Sequence, residues 1–257
     1  MADEYLDFCV GLRRLAGVDL SAYKRQQMER RIRSYVERKN QPTLTAFLRA
    51  IQTSPSDLDD FLDRITINVS ELYRNPEQYE ILRSKVLPTM TGGTGVKVWS
   101  AGCSYGAEAY TLATMLASDA SFGRFQVVGS DVDKRVVERA QRGWFCDADM
   151  RCVPRHIRDR FFEAKDGGFR GADALRSHLR FTVQNLLSDR YLTEWHLVLC
   201  RNVVIYFTDT ARDQVHAGIA RALRPGGFLM VGATERVNDP RAVGLEPVHP
   251  FIYRKAA

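Results

Sequence analysis

The chain has no apolar run near the roughly 18 residues needed to cross a bilayer, and its acidic, mixed start is unlike a signal peptide. A cytoplasmic protein without direct membrane insertion is therefore expected. Cysteine is scarce: Cys9, Cys103, Cys146, Cys152 and Cys200 are odd in number and form no C-x-x-C pair. Reduced thiols are expected, not a disulfide framework. The five histidines lack metal-ligand spacing, so no metal site is expected. No G-x-G-x-x-G fingerprint and no P-loop Gly-Lys-Ser/Thr occur, which speaks against a nicotinamide dehydrogenase and a P-loop enzyme.

What is present is an ordinary globular composition. The 257 residues suit one large domain or two modest ones, and 45% hydrophobic residues are enough for a real core. Lys and Arg number 37 against 31 Asp and Glu, a net charge of +6. That excess fits either solvated surface charge or an anionic partner, nucleic acid or an acidic protein face.

The N-terminal third reads as helices. Tyr5, Phe8, Leu12 and Leu15 fall at helical spacing before Gly17. Ser21 is placed to cap a second helix over about Ala22–Lys39, whose stripe is Met28, Ile32, Tyr35 and Val36. Lys24, Arg31 and Arg38 recur every seven residues along one flank of it. They suit a solvated face or a basic docking face for an acidic helical or nucleic-acid partner. Helices near Thr43–Gln52 and after Ser54-Pro55 complete a small bundle. The polar segment Thr66–Arg74 is either a linker or the lining of a cleft. Asn75, Pro76 and Gln78 then mark another helix start, with Asn75 as cap, and that helix is expected to end before Pro88.

From Val96 strands alternate with helices, the pattern of a parallel, doubly wound sheet. Strands are expected at Val96–Ser100, Gln126–Asp131, Leu179–Val183, Leu197–Cys200 and Phe228–Val231, with closing edge strands at Leu245–Val248 and Phe251–Arg254. Gly102 and Gly106 form a turn between the first strand and a helix, where backbone N–H groups can face a ligand. Asp131 ends the second strand, in position to accept from both hydroxyls of a ribose, and is better placed than Asp133. Arg201 and Asn202 interrupt an apolar run at the end of the fourth strand, where buried polar groups need partners. Residues 144–178 read as an inserted subdomain or a long excursion.

Five strings carry a family resemblance: Asn68-Val69-Ser70-Glu71-Leu72-Tyr73-Arg74, Trp99 to Tyr110, Asp131-Val132-Asp133, Asn185-Leu186-Leu187, and Cys200-Arg201-Asn202-Val203-Val204-Ile205-Tyr206-Phe207. In this order they resemble the chemotaxis receptor methyltransferases, the CheR-type enzymes, over nearly the whole chain. The resemblance implies S-adenosylmethionine as methyl donor, S-adenosylhomocysteine as product, and chemoreceptor glutamates as acceptors. It implies an α/β chain: a Rossmann-like methyltransferase sheet, an N-terminal helical bundle domain and a small inserted β-subdomain. The expected division is a docking domain at 1–75, a linker helix at 76–95 and a methyltransferase domain at 96–257, with the insertion at about 144–178.

By motif match Asn68, Ser70, Arg74, Gly102, Glu108, Asp131, Asn185, Leu186, Arg201 and Asn202 would surround the donor. Arg74 and Tyr206 would lie near the methyl group, and Lys24, Arg31 and Arg38 would dock the receptor. The partners implied are cytoplasmic receptor helices, not nucleic acid, and a monomer is expected. Where relatives commonly have Gly-Glu-Glu-Pro-Tyr, this chain has Gly106-Ala107-Glu108-Ala109-Tyr110, keeping one carboxylate. The rivals are a nucleic-acid methyltransferase, which lacks here its Asn/Asp-Pro-Pro-Tyr motif and aromatic-rich basic strip, and a non-catalytic donor-binding module, against which Arg74 and Tyr206 speak.

Overall fold

The computed structural model describes residues 3–65, 70–90 and 95–256. The chain separates into two compact units, Met1–Ile67 with Ile205–Arg212, and Asn68–Val204 with Asp213–Ala257. Among the described residues, no helix is long and apolar enough to cross a membrane.

The first unit is helical. Helix α1 (Glu4–Ala16) starts on the Asp3 carboxylate, which accepts from the N–H groups of Tyr5 and Leu6, and stops at Gly17 in the left-handed region. Helix α2 (Arg25–Arg38) buries the stripe Met28, Ile32, Tyr35 and Val36. Its start differs from the sequence expectation for a local reason. Ser21 donates its hydroxyl to Asp19 at 2.6 Å and sits in a short 3-10 turn, Leu20–Ala22, so it cannot cap α2. Helices α3 (Leu44–Thr53) and α4 (Pro55–Ile65) close the bundle. Phe8, Tyr35, Phe47 and Phe61, one from each helix, pack at its centre with ring centroids between 5.0 and 6.3 Å apart. Such ring contacts contribute about 0.5–1.5 kcal/mol each beyond area burial.

The second unit opens with helix α5 (Pro76–Ile81), which widens into a π turn at Leu82–Val86 and tightens into a 3-10 turn at Leu87–Met90. Helical backbone thus runs past Pro88. Proline falls just after the π turn, where the helical hydrogen-bond pattern changes to 3-10.

Strands β1 (Val96–Ala101) and β2 (Phe125–Asp131) follow, then a small sheet of β3 (Trp144–Phe145), β4 (Phe162–Lys165) and β5 (Gly168–Gly171). Strands β6 (Leu179–Val183), β7 (Trp195–Cys200), β8 (Leu223–Val231), β9 (Leu245–His249) and β10 (Ile252–Lys255) complete the main sheet. Its order is β6-β2-β1-β7-β8-β10-β9. The first five run parallel, and β10 lies antiparallel to β8 and β9. Val98, Leu197, Leu199 and Met230 are fully buried at its centre, as expected for parallel strands covered on both faces.

Strand β8 begins at Leu223, five residues before the expected Phe228. Trp195 pairs with Leu223 and Leu197 with Phe228, so Arg224–Gly227 bulge out between the two pairings.

Helix α6 (Ala107–Ser118) is apolar nearly all round because both its sides are covered. One side lies on β1 and β2. On the other, the Tyr110 ring packs against Phe145 of the small antiparallel sheet, centroids 5.0 Å apart, which seats the insertion on the core. Helices α7 (Lys134–Arg142), α8 (Arg155–Phe161), α9 (Asp173–Arg176) and α10 (Asp209–Ala222) fill the remaining connections.

Candidate functional site

The sheet order reverses between β1 and β7, so their carboxyl ends open a crevice where α/β folds bind ligands. The turn leaving β1 is built for close backbone packing. Gly102 has φ +75°, and a Cβ there would lie 2.3 Å from a methyl of Val203. Gly102→Ala is therefore expected to cost about 1–3 kcal/mol, read as a lower urea midpoint at unchanged slope. The N–H groups of Gly102 and Cys103 both donate to the Ser130 carbonyl, at 2.8 and 2.9 Å, which ties the turn to the end of β2.

Asp131 sits at that end. Its carboxylate accepts from the N–H of Ser104 at 2.8 Å and of Asp133 at 3.1 Å. Burial pushes this carboxyl above the usual range, against the pull of those two backbone donors. Ser104 is left-handed (φ +50°), and its buried hydroxyl has no partner among the described residues. A half-buried carboxylate and an orphaned hydroxyl at the end of β2 suit the vicinal hydroxyls of a nucleoside.

Asn185 closes an Asx turn by accepting from the N–H of Leu187 at 2.9 Å. Its neighbour Gln184 donates its N–H to the Asp131 carbonyl at 2.8 Å, placing the ends of β6 and β2 side by side. The Leu186 carbonyl accepts from the Tyr191 hydroxyl.

Arg201, at the end of β7, is only 6% exposed. Its guanidinium is shared among five partners: Gln78 Oε1 (3.0 Å from Nε, 2.5 Å from Nη2), Tyr79 Oη (2.9 Å), Glu108 Oε2 (3.2 Å), the Arg74 carbonyl (2.9 Å) and Asn75 Oδ1 (3.3 Å). Burial works against this charge, and Tyr79 and Glu108 outweigh it. Glu108 in turn accepts from Ser100 Oγ at 2.7 Å. Asn75 and Gln78, which read from sequence as a capping pair, therefore spend their oxygens on Arg201. Asn75 makes no side-chain cap and is itself left-handed, with φ +61°.

The segment from Ser70 to Asn75 is clamped along its length. The Ser70 carbonyl accepts from the Tyr105 hydroxyl, and the Leu72 N–H donates to the Asp149 carbonyl at 3.1 Å. Tyr73, at φ +57°, donates its N–H to Thr111 Oγ1 at 2.9 Å. The single hydroxyl hydrogen of Tyr105 is shared with the Asp149 carboxylate at 2.8 Å, under the Arg139 guanidinium, which lies 3.9 Å from the ring centroid. Burial and the Asp149 charge raise the Tyr105 pKa, which keeps the phenol a donor. Arg74 is half-buried at the end of this segment. Asn68 lies outside the described residues.

Asn202 is left-handed (φ +60°), and its N–H donates to Glu235 Oε2 at 2.7 Å, an oxygen that also takes the Gly232 N–H at 2.7 Å. Gln78, Tyr105, Asp149 and Glu235 are contributors to the site's framework to which sequence reading gives no role in the site. Tyr105 lies within the string Trp99 to Tyr110 without a role of its own, and Gln78 carries a signal that points to a helix cap.

Within the helical unit, Lys24 donates Nζ to the Ile205 carbonyl at 3.0 Å and its N–H to the Tyr206 carbonyl at 2.9 Å. Arg31 donates Nε to the Arg64 carbonyl at 3.0 Å, near the C-terminus of α4. Arg38 is exposed, beside the Tyr35 ring. The segment carrying Tyr206 belongs to this unit, where Phe207 packs edge-on against Tyr23, centroids 5.0 Å apart.

Two family models match the chain: the CheR methyltransferase all-alpha domain at residues 3–66 and the CheR methyltransferase SAM-binding domain at residues 68–248. A chemotaxis protein methyltransferase of Listeria monocytogenes is 33% identical over 98% of this chain and 97% of its own. Chemotaxis protein methyltransferase 1 of Pseudomonas aeruginosa is 30% identical over 90% of this chain and 89% of its own. Among solved structures, a TehB-like SAM-dependent methyltransferase from Corynebacterium glutamicum aligns with 70% of this chain and 93% of its own, at 17% identity and TM-score 0.41. With the two family models together spanning nearly all of it and a third of its residues shared with a relative along almost the whole length of both, the chain belongs to the CheR family of S-adenosylmethionine-dependent methyltransferases.

Proposed function

We propose that this chain methylates glutamate side chains on the cytoplasmic helices of chemoreceptors, as a protein-glutamate O-methyltransferase working in the cytoplasm. The observation that supports it most is the fastening of the Arg74 segment to the ends of β1 and β7 through Arg201. It brings a guanidinium-bearing segment to the strand ends where a nucleoside donor is expected.

When bound, S-adenosylmethionine supplies an electrophilic methyl group on a sulfonium. Asp131 is assigned to the ribose hydroxyls, Ser70 and Glu108 to the methionyl part, and Asn185 and Leu186 to the adenine end. Glu108 is held by Ser100 and Arg201, and its remaining lone pairs can accept from an ammonium. Asn68, Gly102 and Asn202 complete the proposed lining. Asp131→Ala is expected to weaken donor binding about 10- to 100-fold by calorimetry, through the loss of charge-assisted hydrogen bonds.

An acceptor glutamate is already ionised at neutral pH, with a reference pKa of about 4.3, so the chain needs no general base. What it has to provide is in-line approach, dehydration and orientation, which can contribute on the order of 7–11 kcal/mol. Arg74 is assigned to the acceptor carboxylate, since a guanidinium pairs with it bidentately. Tyr206 is assigned a phenolic hydrogen bond to the same group by the motif alone. Lys24, Arg31 and Arg38 are assigned to receptor docking, with Arg38 offering the most exposed charge.

The test is methyl transfer to a chemoreceptor cytoplasmic fragment and to the same fragment with its acceptor glutamates replaced by alanine. Transfer is expected to the first alone, and equal transfer to both would refute the assignment.

A further inference from the structure

We propose that Gln78 is a positioning residue for methyl transfer, acting on Arg74 through Arg201. The inference rests on the assignment of Arg74 to the acceptor carboxylate. Gln78 is 1% exposed, and its Oε1 takes two of the guanidinium's donations, from Nε and Nη2. A guanidinium only donates, so the amide must turn its oxygen toward Arg201. That leaves Nε2 buried with no acceptor among the described residues. A buried amide held in an orientation that strands its own donor is costly, and what it secures is the aim of Arg201.

Arg201 passes this aim on. Nη2 also holds the Arg74 carbonyl and Asn75 Oδ1. Those bonds pin a backbone stretch in which Tyr73 and Asn75, flanking Arg74, both take the left-handed conformation at φ +57° and +61°. Asparagine tolerates that region, but a bulky tyrosine does not favour it, and the bond from the Tyr73 N–H to Thr111 helps keep it populated there. Gln78 fixes the rotation of the guanidinium plane; the plane fixes the kink; the kink sets where the Arg74 side chain leaves the backbone. Glu108 meets the same guanidinium through Nη1 and cannot replace Gln78 at Nε.

The experiment compares Gln78→Met, Gln78→Glu and Arg74→Ala in the full chain, measuring donor Kd by calorimetry, melting, and kcat on a receptor fragment. Gln78→Met keeps the volume and removes the acceptor. It is expected to lower kcat about 10- to 100-fold, the scale of a small misplacement, with donor Kd nearly unchanged. Gln78→Glu restores both acceptor bonds and is expected to recover most of the turnover. Gln78→Met with full kcat, or with donor binding lost in step with kcat, would overturn the proposal. Should Gln78→Met not fold, Gln78→Glu still decides: turnover close to the unaltered chain supports the role, and a large loss with unchanged melting refutes it. If Arg74→Ala itself turns over normally, the Arg74 assignment fails first; if Arg74→Ala is slow and Gln78→Met is not, only the Gln78 inference fails.

Discussion

Arg74→Ala is expected to slow methyl transfer by about 10²–10³-fold, the loss that follows removal of one preorganised donor at a reacting group. Donor affinity moves far less, because ribose and adenine contacts are assigned to Asp131, Asn185 and Leu186 and not to Arg74. The split arises from the backbone. Arg74 contributes its carbonyl to Arg201, and that bond survives loss of the side chain. Tyr73 and Asn75 keep their anchors on Thr111 and Arg201, so the segment stays in place. Single-turnover kinetics with calorimetry on the same preparation separates the two quantities. Near-normal turnover would remove Arg74 from the mechanism.

The second large effect falls on stability. Arg201→Leu is expected to destabilise the sheet unit by about 3–5 kcal/mol, the usual cost of breaking a buried ion pair by removing one partner. Glu108, whose side chain is 12% exposed, would be left with Ser100 alone, and Gln78, Tyr79 and Asn75 would each lose a donor inside the core. For a body of this size the melting temperature should fall by roughly 6–20 °C, readable by calorimetric scanning. An unchanged melting curve would mean that the pair is dispensable to the fold. The two variants therefore separate chemistry from architecture: one charge is assigned to the acceptor, the other holds the frame around it.

Much of the fold was legible because it follows local period. The α2 stripe of Met28, Ile32, Tyr35 and Val36 is buried where helical spacing put it, and the five apolar runs of the second half became the five parallel strands. The position of Asp131 at the end of one of them was legible too. What stayed hidden depends on side chains meeting across long stretches of chain. Arg201 and Asn202 announced themselves as polar residues in an apolar run, but nothing local shows that Arg201 meets Gln78 and Tyr79, 123 and 122 residues away. Asn75 and Gln78 have the residue types and spacing of a helix cap, and a guanidinium competes successfully for their oxygens because a charge-assisted bond is about twice as strong as a neutral one. Asp149 lay in an irregular stretch with no period to read, yet it holds Tyr105 and Cys146 in place.

Lys24 and Arg31 show the same limit on the helical unit. Their seven-residue spacing with Arg38 reads as a basic stripe, while the structure engages one on the Ile205 carbonyl and the other on the Arg64 carbonyl. A receptor surface docking there, as proposed, would meet partly committed cations, and Arg38 is the exposed member of the three.

In the proposed reaction the methyl group ends on a glutamate carboxylate. The direct measurement incubates the chain with methyl-labelled S-adenosylmethionine, a chemoreceptor cytoplasmic fragment and a mixture of RNA and DNA, then treats each fraction with mild base. Label in the receptor fraction, located on glutamate and released as volatile methanol, is the predicted result. Label on nucleic acid, or protein label that resists base, would contradict it.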